Sequence, residues 1–203
     1  CPNCQNYAIS QVGPDDVPYD ECEPEQMVAL ARQHHLPTIA YTYTEPLTWI
    51  EYMTDIARLA HGAGLYNVLV SAGYVNEQPL RDLAPLLDTA NVDLKSFSDE
   101  TYRQYNRASL EPVLRTLTIL REAGVHLEVT LLLIPGINTD DAGLHRMFRW
   151  LVDHDMADCA LHISRFFPMY KMQEAPATPL ADMRRAEAIA YDEGIAHVFL
   201  GNV

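Results

Sequence analysis

No stretch of this chain approaches the roughly 20 apolar residues a helix needs to cross a bilayer. Its longest apolar run, Leu131-Leu132-Leu133-Ile134-Pro135, is only strand-length. Basic residues are also scarce: 14 Lys and Arg stand against 28 Asp and Glu, a formal net charge of −14. A protein that binds phosphate backbones concentrates cations, so neither nucleic acid nor membrane is expected as a partner. The acidity reads as a solvated surface. Cys1, Cys4, Cys22 and Cys159 are too few and too unevenly spaced for a disulfide scaffold. Such usage fits a reducing cytoplasm, where thiolates serve metals or redox chemistry. The first residues have neither the charge nor the apolar core of a signal peptide, and they lack an initiator Met. The expectation is one domain over residues 1–203, truncated at its N-terminus and also at its C-terminus.

What is present is an alternation of β-rich runs and helical stretches. Strands are expected at Thr38–Tyr43, Val68–Ser71, Asn91–Lys95, His126–Ile134, Leu161–Phe166 and His197–Leu200. Between them, Ile50, Met53, Ile56, Ala57 and Ala60 recur at three- and four-residue spacing and make one apolar stripe, which predicts a helix from Leu47 to about Ala63. Further helices are expected from about Glu77, over Asp99–Tyr105, Glu111–Ala123, Asp140–Asp153 and Pro179–Glu193, with Gly124 and Gly194 as stops. A helix at Pro24–Gln33 has no strand ahead of it. Strand starts about 25 to 35 residues apart suit βαβ units. Parallel strands with crossover helices give an α/β barrel, complete or partial, or an open doubly wound sheet, and periodicity leaves both open.

In either architecture ligands sit at the carboxyl ends of the strands. Thr42, Thr44 and Glu45 follow the first strand, and Ser71 and Gly73 end the second. Asp93 and Lys95 are two apart on the third and so share a face; they read either as an ion pair or as ligand contacts. Glu45 reads either as a ligand contact or as a cap for the helix that follows. Gly136 suits a tight turn beside a ligand. The pair Cys1 and Cys4 is C-x2-C, which by itself leaves iron–sulfur, zinc and redox chemistry open.

Five segments keep a familiar order: Cys1-Pro2-Asn3-Cys4-Gln5-Asn6, Tyr41-Thr42-Tyr43-Thr44-Glu45-Pro46, Val92-Asp93-Leu94-Lys95-Ser96-Phe97, Leu133-Ile134-Pro135-Gly136 and His162-Ile163-Ser164-Arg165-Phe166. Together they resemble the radical S-adenosylmethionine (SAM) enzymes related to pyruvate formate-lyase activating enzyme, with greatest similarity to the radical SAM member of the AmmeMemoRadiSam system. The resemblance implies a partial (β/α)6-type TIM-like barrel of parallel strands whose first strand is missing from this chain. It implies a [4Fe-4S] cluster held by three thiolates in a C-x3-C-x2-C motif. Cys1 and Cys4 would be the second and third ligands, and the first would lie four residues before Cys1.

On the same resemblance, SAM would meet Thr44, Glu45, Ser71, Asp93, Lys95 and Ile134, with Arg165 and Tyr170 on the substrate side. Two departures weaken individual contacts: Thr44 stands in place of the second glycine of a Gly-Gly-Glu-Pro segment, and Ala72 replaces an asparagine. The implied activity is reductive cleavage of SAM to a 5′-deoxyadenosyl radical that abstracts hydrogen, from a protein substrate in the activating-enzyme branch. An electron donor such as flavodoxin or ferredoxin would be a partner. A chain with only two of three thiolates is expected to be inactive. The alternative is a barrel that has lost the chemistry and serves as a metal-binding or interaction protein. Cys22, Cys159 and His162 receive no assigned role.

Overall fold

The computed structural model describes residues 1–203, the side chain of Pro14 apart. Six strands, β1 (Thr38–Tyr41), β2 (Tyr66–Ser71), β3 (Thr89–Asp93), β4 (His126–Leu133), β5 (Ala160–Arg165) and β6 (His197–Gly201), form one sheet in sequence order. Every neighbouring pair is parallel. The sheet does not close, so β1 and β6 are its two edges. This is an α/β fold, a partial TIM-like barrel, as the resemblance implies.

The helices in chain order are α1 (Tyr7–Ser10), α2 (Pro24–Gln33), α3 (Ile50–Gly62), α4 (Glu77–Leu83), α5 (Asp99–Thr101), α6 (Glu111–Glu122), α7 (Asp141–Asp153) and α8 (Leu180–Glu193). The stripe predicted on α3 is the face it buries: Met53, Ile56, Ala57 and Ala60 are all 2% exposed or less. Alternation along β4 separates the two faces of the sheet. Leu127, Val129, Leu131 and Leu133 are buried among the helices, whereas Glu128, Thr130 and Leu132 are half-buried on the concave side. Among the described residues no helix is long and apolar enough to cross a membrane.

Strand β1 ends at Tyr41, two residues before the expected end, and β3 runs Thr89–Asp93 where Asn91–Lys95 is expected, so Lys95 lies past the strand; two helices also depart from expectation. The helix expected from Leu47 opens as a 3-10 turn, Pro46–Trp49, because the Glu45 carboxylate caps the Leu47 N–H and Pro46 fixes the first turn. The helix expected over Asp99–Tyr105 divides into α5 and a π-helical turn, Tyr102–Asn106, which ends at Arg107 in the left-handed region (φ 54°). The short helix α1 carries no periodic signal in four residues and is not legible in the sequence.

Candidate active site at the barrel mouth

The loop after β1 brings Glu45 against the end of β2. Its Oε1 accepts from the Ser71 hydroxyl at 2.6 Å and from the Leu47 N–H at 3.3 Å, and its Oε2 accepts from the Ala72 N–H at 2.8 Å. Ser71 is 5% exposed, and its oxygen in turn accepts from the Gly73 N–H at 2.9 Å. Gly73 must be glycine: its φ is +69°, and a Cβ there would meet Val92 Cγ1 at 2.8 Å. Glu45 is therefore both the helix cap and the clamp that joins β1 to β2, and Ser71 spends its hydrogen bonds inside that clamp. Thr44 is exposed beside it.

Asp93 ends β3 and Lys95 follows two residues on, where the Leu94 N–H to Thr130 carbonyl bond carries the ladder one step further. The Lys95 ammonium donates to Asp93 Oδ2 at 2.7 Å, with side chains 30% and 40% exposed. Burial works against the charged lysine, but the charge and hydrogen bond of Asp93 outweigh it, and Glu45 adds to the effect. The Lys95 pKa is consequently raised, and the cation persists across neutral pH. Its backbone is held on both sides: the N–H donates to the Tyr102 hydroxyl at 3.0 Å, and the carbonyl accepts from Asn138 Nδ2 at 2.8 Å.

Sequence reasoning misses Asn138, yet it is the hub of this corner. It also donates to the Leu132 carbonyl at 2.8 Å and accepts from the Ile134 N–H at 2.7 Å. Nothing in Pro135-Gly136-Ile137-Asn138 announces such a role except the turn chemistry of asparagine. With its N–H taken by Asn138 and its carbonyl by the N–H groups of Ile137 and Asn138, Ile134 offers a ligand its apolar side chain.

Asp93, Lys95 and Ile134 line one cleft of about 420 Å³, together with Asn3 from the cysteine loop and Asn106 from the π-helical turn. Asn106 also borders a second cleft, of about 650 Å³, which contains Cys1, Tyr170 and Lys171. There Asn106 Nδ2 donates to Cys1 Sγ at 3.0 Å. The cysteine loop is held at the mouth by the Lys171 N–H to Pro2 carbonyl bond (3.0 Å) and by Tyr7 stacked on Tyr170 at 5.0 Å. Cys4 Sγ lies 3.3 Å from Ser10 Oγ. Arg165 turns back to the Thr178 carbonyl at 2.7 Å and stacks over Phe167.

Cys22 sits beside α3, its carbonyl bonded by Tyr52, and Cys159 is buried at the start of β5, the end of the barrel away from the mouth. Among the described residues no group of three His, Cys, Asp or Glu side chains gathers as a metal site. Cys1 and Cys4 fit an iron–sulfur cluster in donor type, both being soft thiols and Cys1 having an N–H donor at its sulfur, and they supply two of its thiolates.

The comparisons with known proteins agree with this geometry. An uncharacterized protein of Methanocaldococcus jannaschii is 38% identical over 203 residues, all of this chain and 60% of the relative. The trans-4-hydroxy-L-proline dehydratase activating enzyme of Clostridioides difficile is 21% identical over 95 residues, 47% of this chain and 32% of that protein. The chain thus spans at most about 60% of the length of these relatives. The crystal structure of a domain of pyruvate-formate lyase-activating enzyme from Bacteroides vulgatus superposes with a TM-score of 0.68 at 15% identity, over 81% of this chain and 98% of that one. The signature of the Radical SAM superfamily, whose members use a [4Fe-4S] cluster and SAM, matches residues 1–148. With its partial barrel of six parallel strands and its cysteine loop at the mouth, the chain belongs to the radical SAM superfamily.

Proposed function

We propose that this chain is the SAM-binding barrel of an enzyme that cleaves SAM reductively to a 5′-deoxyadenosyl radical for hydrogen abstraction. The observation that carries the reading is the cleft itself, which gathers Asp93, Lys95 and Ile134 and adjoins the Cys1 thiol through Asn106. The Lys95 cation suits the SAM carboxylate and the Asp93 carboxylate suits ribose hydroxyls, since each is the charge complement or acceptor its partner needs. Ile134 supplies an apolar wall for adenine. Glu45 and Ser71 act through the clamp that sets the end of β1 against the end of β2, with Thr44 exposed beside it, where it would meet the SAM amino group. The similarity to glycyl-radical activating enzymes supports a protein as substrate. The order of the motifs supports the AmmeMemoRadiSam branch, with a flavodoxin or ferredoxin as electron donor in the cytoplasm.

Calorimetric titration with SAM tests the cleft. Wild type is expected to bind, and Lys95→Met to weaken binding about tenfold, the loss of one charge-assisted contact. Equal affinities would remove Lys95 from the site. With two thiolates the 203-residue chain is expected to bind SAM without releasing 5′-deoxyadenosine after anaerobic reconstitution and dithionite. A chain with a cysteine placed four residues before Cys1 is expected to release it. A second reading, a barrel that binds without chemistry, is favoured by the internal use of Ser71 and Glu45. Failure of the extended chain to cleave SAM would establish that second reading.

A further inference from the structure

The concave face of the sheet carries a polar network that neither the cysteine loop nor the Asp93–Lys95 cleft uses. Glu128 and Thr130 of β4, Asn91 of β3 and His162 of β5 are all half-buried on that face. Thr130 Oγ1 donates to Asn91 Oδ1 at 2.8 Å, and Asn91 Nδ2 donates to Glu128 Oε2 at 3.2 Å. The same Glu128 oxygen lies 2.8 Å from His162 Nε2, and His126 Nε2 lies 4.0 Å from Glu128 Oε1. Phe199 of β6 stacks on the His162 ring at 5.4 Å and fixes its plane.

A carboxylate only accepts hydrogen bonds, so Nε2 is the protonated nitrogen of the neutral ring. That leaves Nδ1 with an acceptor lone pair, and among the described residues no donor takes it. The pair is open to the concave side: the His162 and Glu128 side chains are 34% and 31% exposed. The register also places this pair usefully, since Asp93, Thr130, His162 and Phe199 face one another across β3 to β6. At about 4.8 Å per strand, His162 stands roughly 10 Å from Asp93.

We propose that Glu128 and His162 form a substrate-facing subsite in which Nδ1 of His162 accepts a hydrogen bond from a hydroxyl or amide N–H of the substrate. Glu128 is the positioning residue that holds the tautomer, as carboxylates do for metal-bound and catalytic histidines. That this group belongs to the substrate rests on the reading of the Asp93–Lys95 cleft as the SAM site.

The test uses the 203-residue chain labelled with 15N-histidine and with 15N backbone amides, at pH 8.5, where an ordinary imidazole is neutral. Long-range proton–nitrogen NMR should find His162 protonated at Nε2 and bare at Nδ1. Acetamide, which carries N–H donors, should shift Nδ1 in a saturable way, and N,N-dimethylacetamide, which has none, should not. Glu128→Leu, which removes the acceptor, should abolish the tautomer preference and weaken the acetamide response several-fold. Should that variant fail to fold, the contrast between the two amides on wild type decides alone. A proton on Nδ1 in wild type, or equal responses to the two amides, would overturn the proposal. SAM added to the same sample reports at the Lys95 amide, so failure of the SAM reading shows there while the acetamide result stands by itself.

Discussion

At the scale of single residues, Glu45 shows why a motif and its structural role are hard to separate. Its carboxylate answers three donors from two elements, the Ser71 hydroxyl and the Ala72 and Leu47 N–H groups. Removing it leaves those donors without their partner, so Glu45→Ala is expected to cost about 2 kcal/mol in urea unfolding, whatever it does to SAM. No change in the urea midpoint would mean that water replaces the carboxylate freely. Cys159 marks the opposite case, a thiol with no site around it. Burial pushes its pKa up to about 11, a rise that Arg121 offsets only in part. In native protein at pH 8 it should resist iodoacetamide while the exposed Cys1 reacts, and it should become alkylated only on unfolding; peptide mass spectrometry reads both. The pairing of Asp93 with Lys95 is legible from their spacing. The role of Asn138 is not, because its three partners, Lys95, Leu132 and Ile134, lie on two different strand ends and meet only after folding.

At the scale of elements, α7 and α8 illustrate a junction that pH can probe. Glu193 at the end of α8 accepts from Arg149 Nε at 2.9 Å and Nη2 at 2.8 Å, and lies 2.6 Å from His145 Nδ1, both partners being on α7. Arg149 first and His145 second hold its carboxyl below the ordinary carboxylate range. A depressed folded-state pKa gives stability that is present above the unfolded value near pH 4.3 and is lost as pH falls through the folded value. The urea midpoint of wild type should therefore drop between pH 5 and pH 2.5, and Glu193→Gln should flatten the part of that drop owed to this residue. Parallel curves for the two proteins would place the acid sensitivity elsewhere. The helix stripes themselves are legible, since four of the five apolar positions spaced along α3 are its buried face. The 3-10 opening before α3 and the π-helical turn after α5 are not, because apolar periodicity marks a helix but does not separate one hydrogen-bonding pattern from another within its first or last turn.

At the scale of the whole molecule, one continuous core lies between the sheet and its helices and runs from Val28 to Val198. Phe148 of α7 is fully buried in it, so Phe148→Ala is expected to cost about 3 to 5 kcal/mol and to lower the urea midpoint in one cooperative step. A separate early transition would show that the helices past β4 form an independent unit. The alternation of six strands with helices is written in the sequence, because side-chain period and strand spacing are local properties. The same locality assigns Asp93, Lys95, Glu45 and Ser71 to strand ends from the sequence alone. What tertiary structure alone decided was which of them share a space. It set Glu45 and Ser71 into a clamp, put Asp93, Lys95 and Ile134 into a cleft, and brought Asn106, 105 residues away in sequence, to Cys1. It also left the sheet open and lined its concave face with Glu128 and His162, which face each other only because parallel register sets Thr130 beside His162. Register and curvature depend on long-range pairing, and no window of sequence contains both partners.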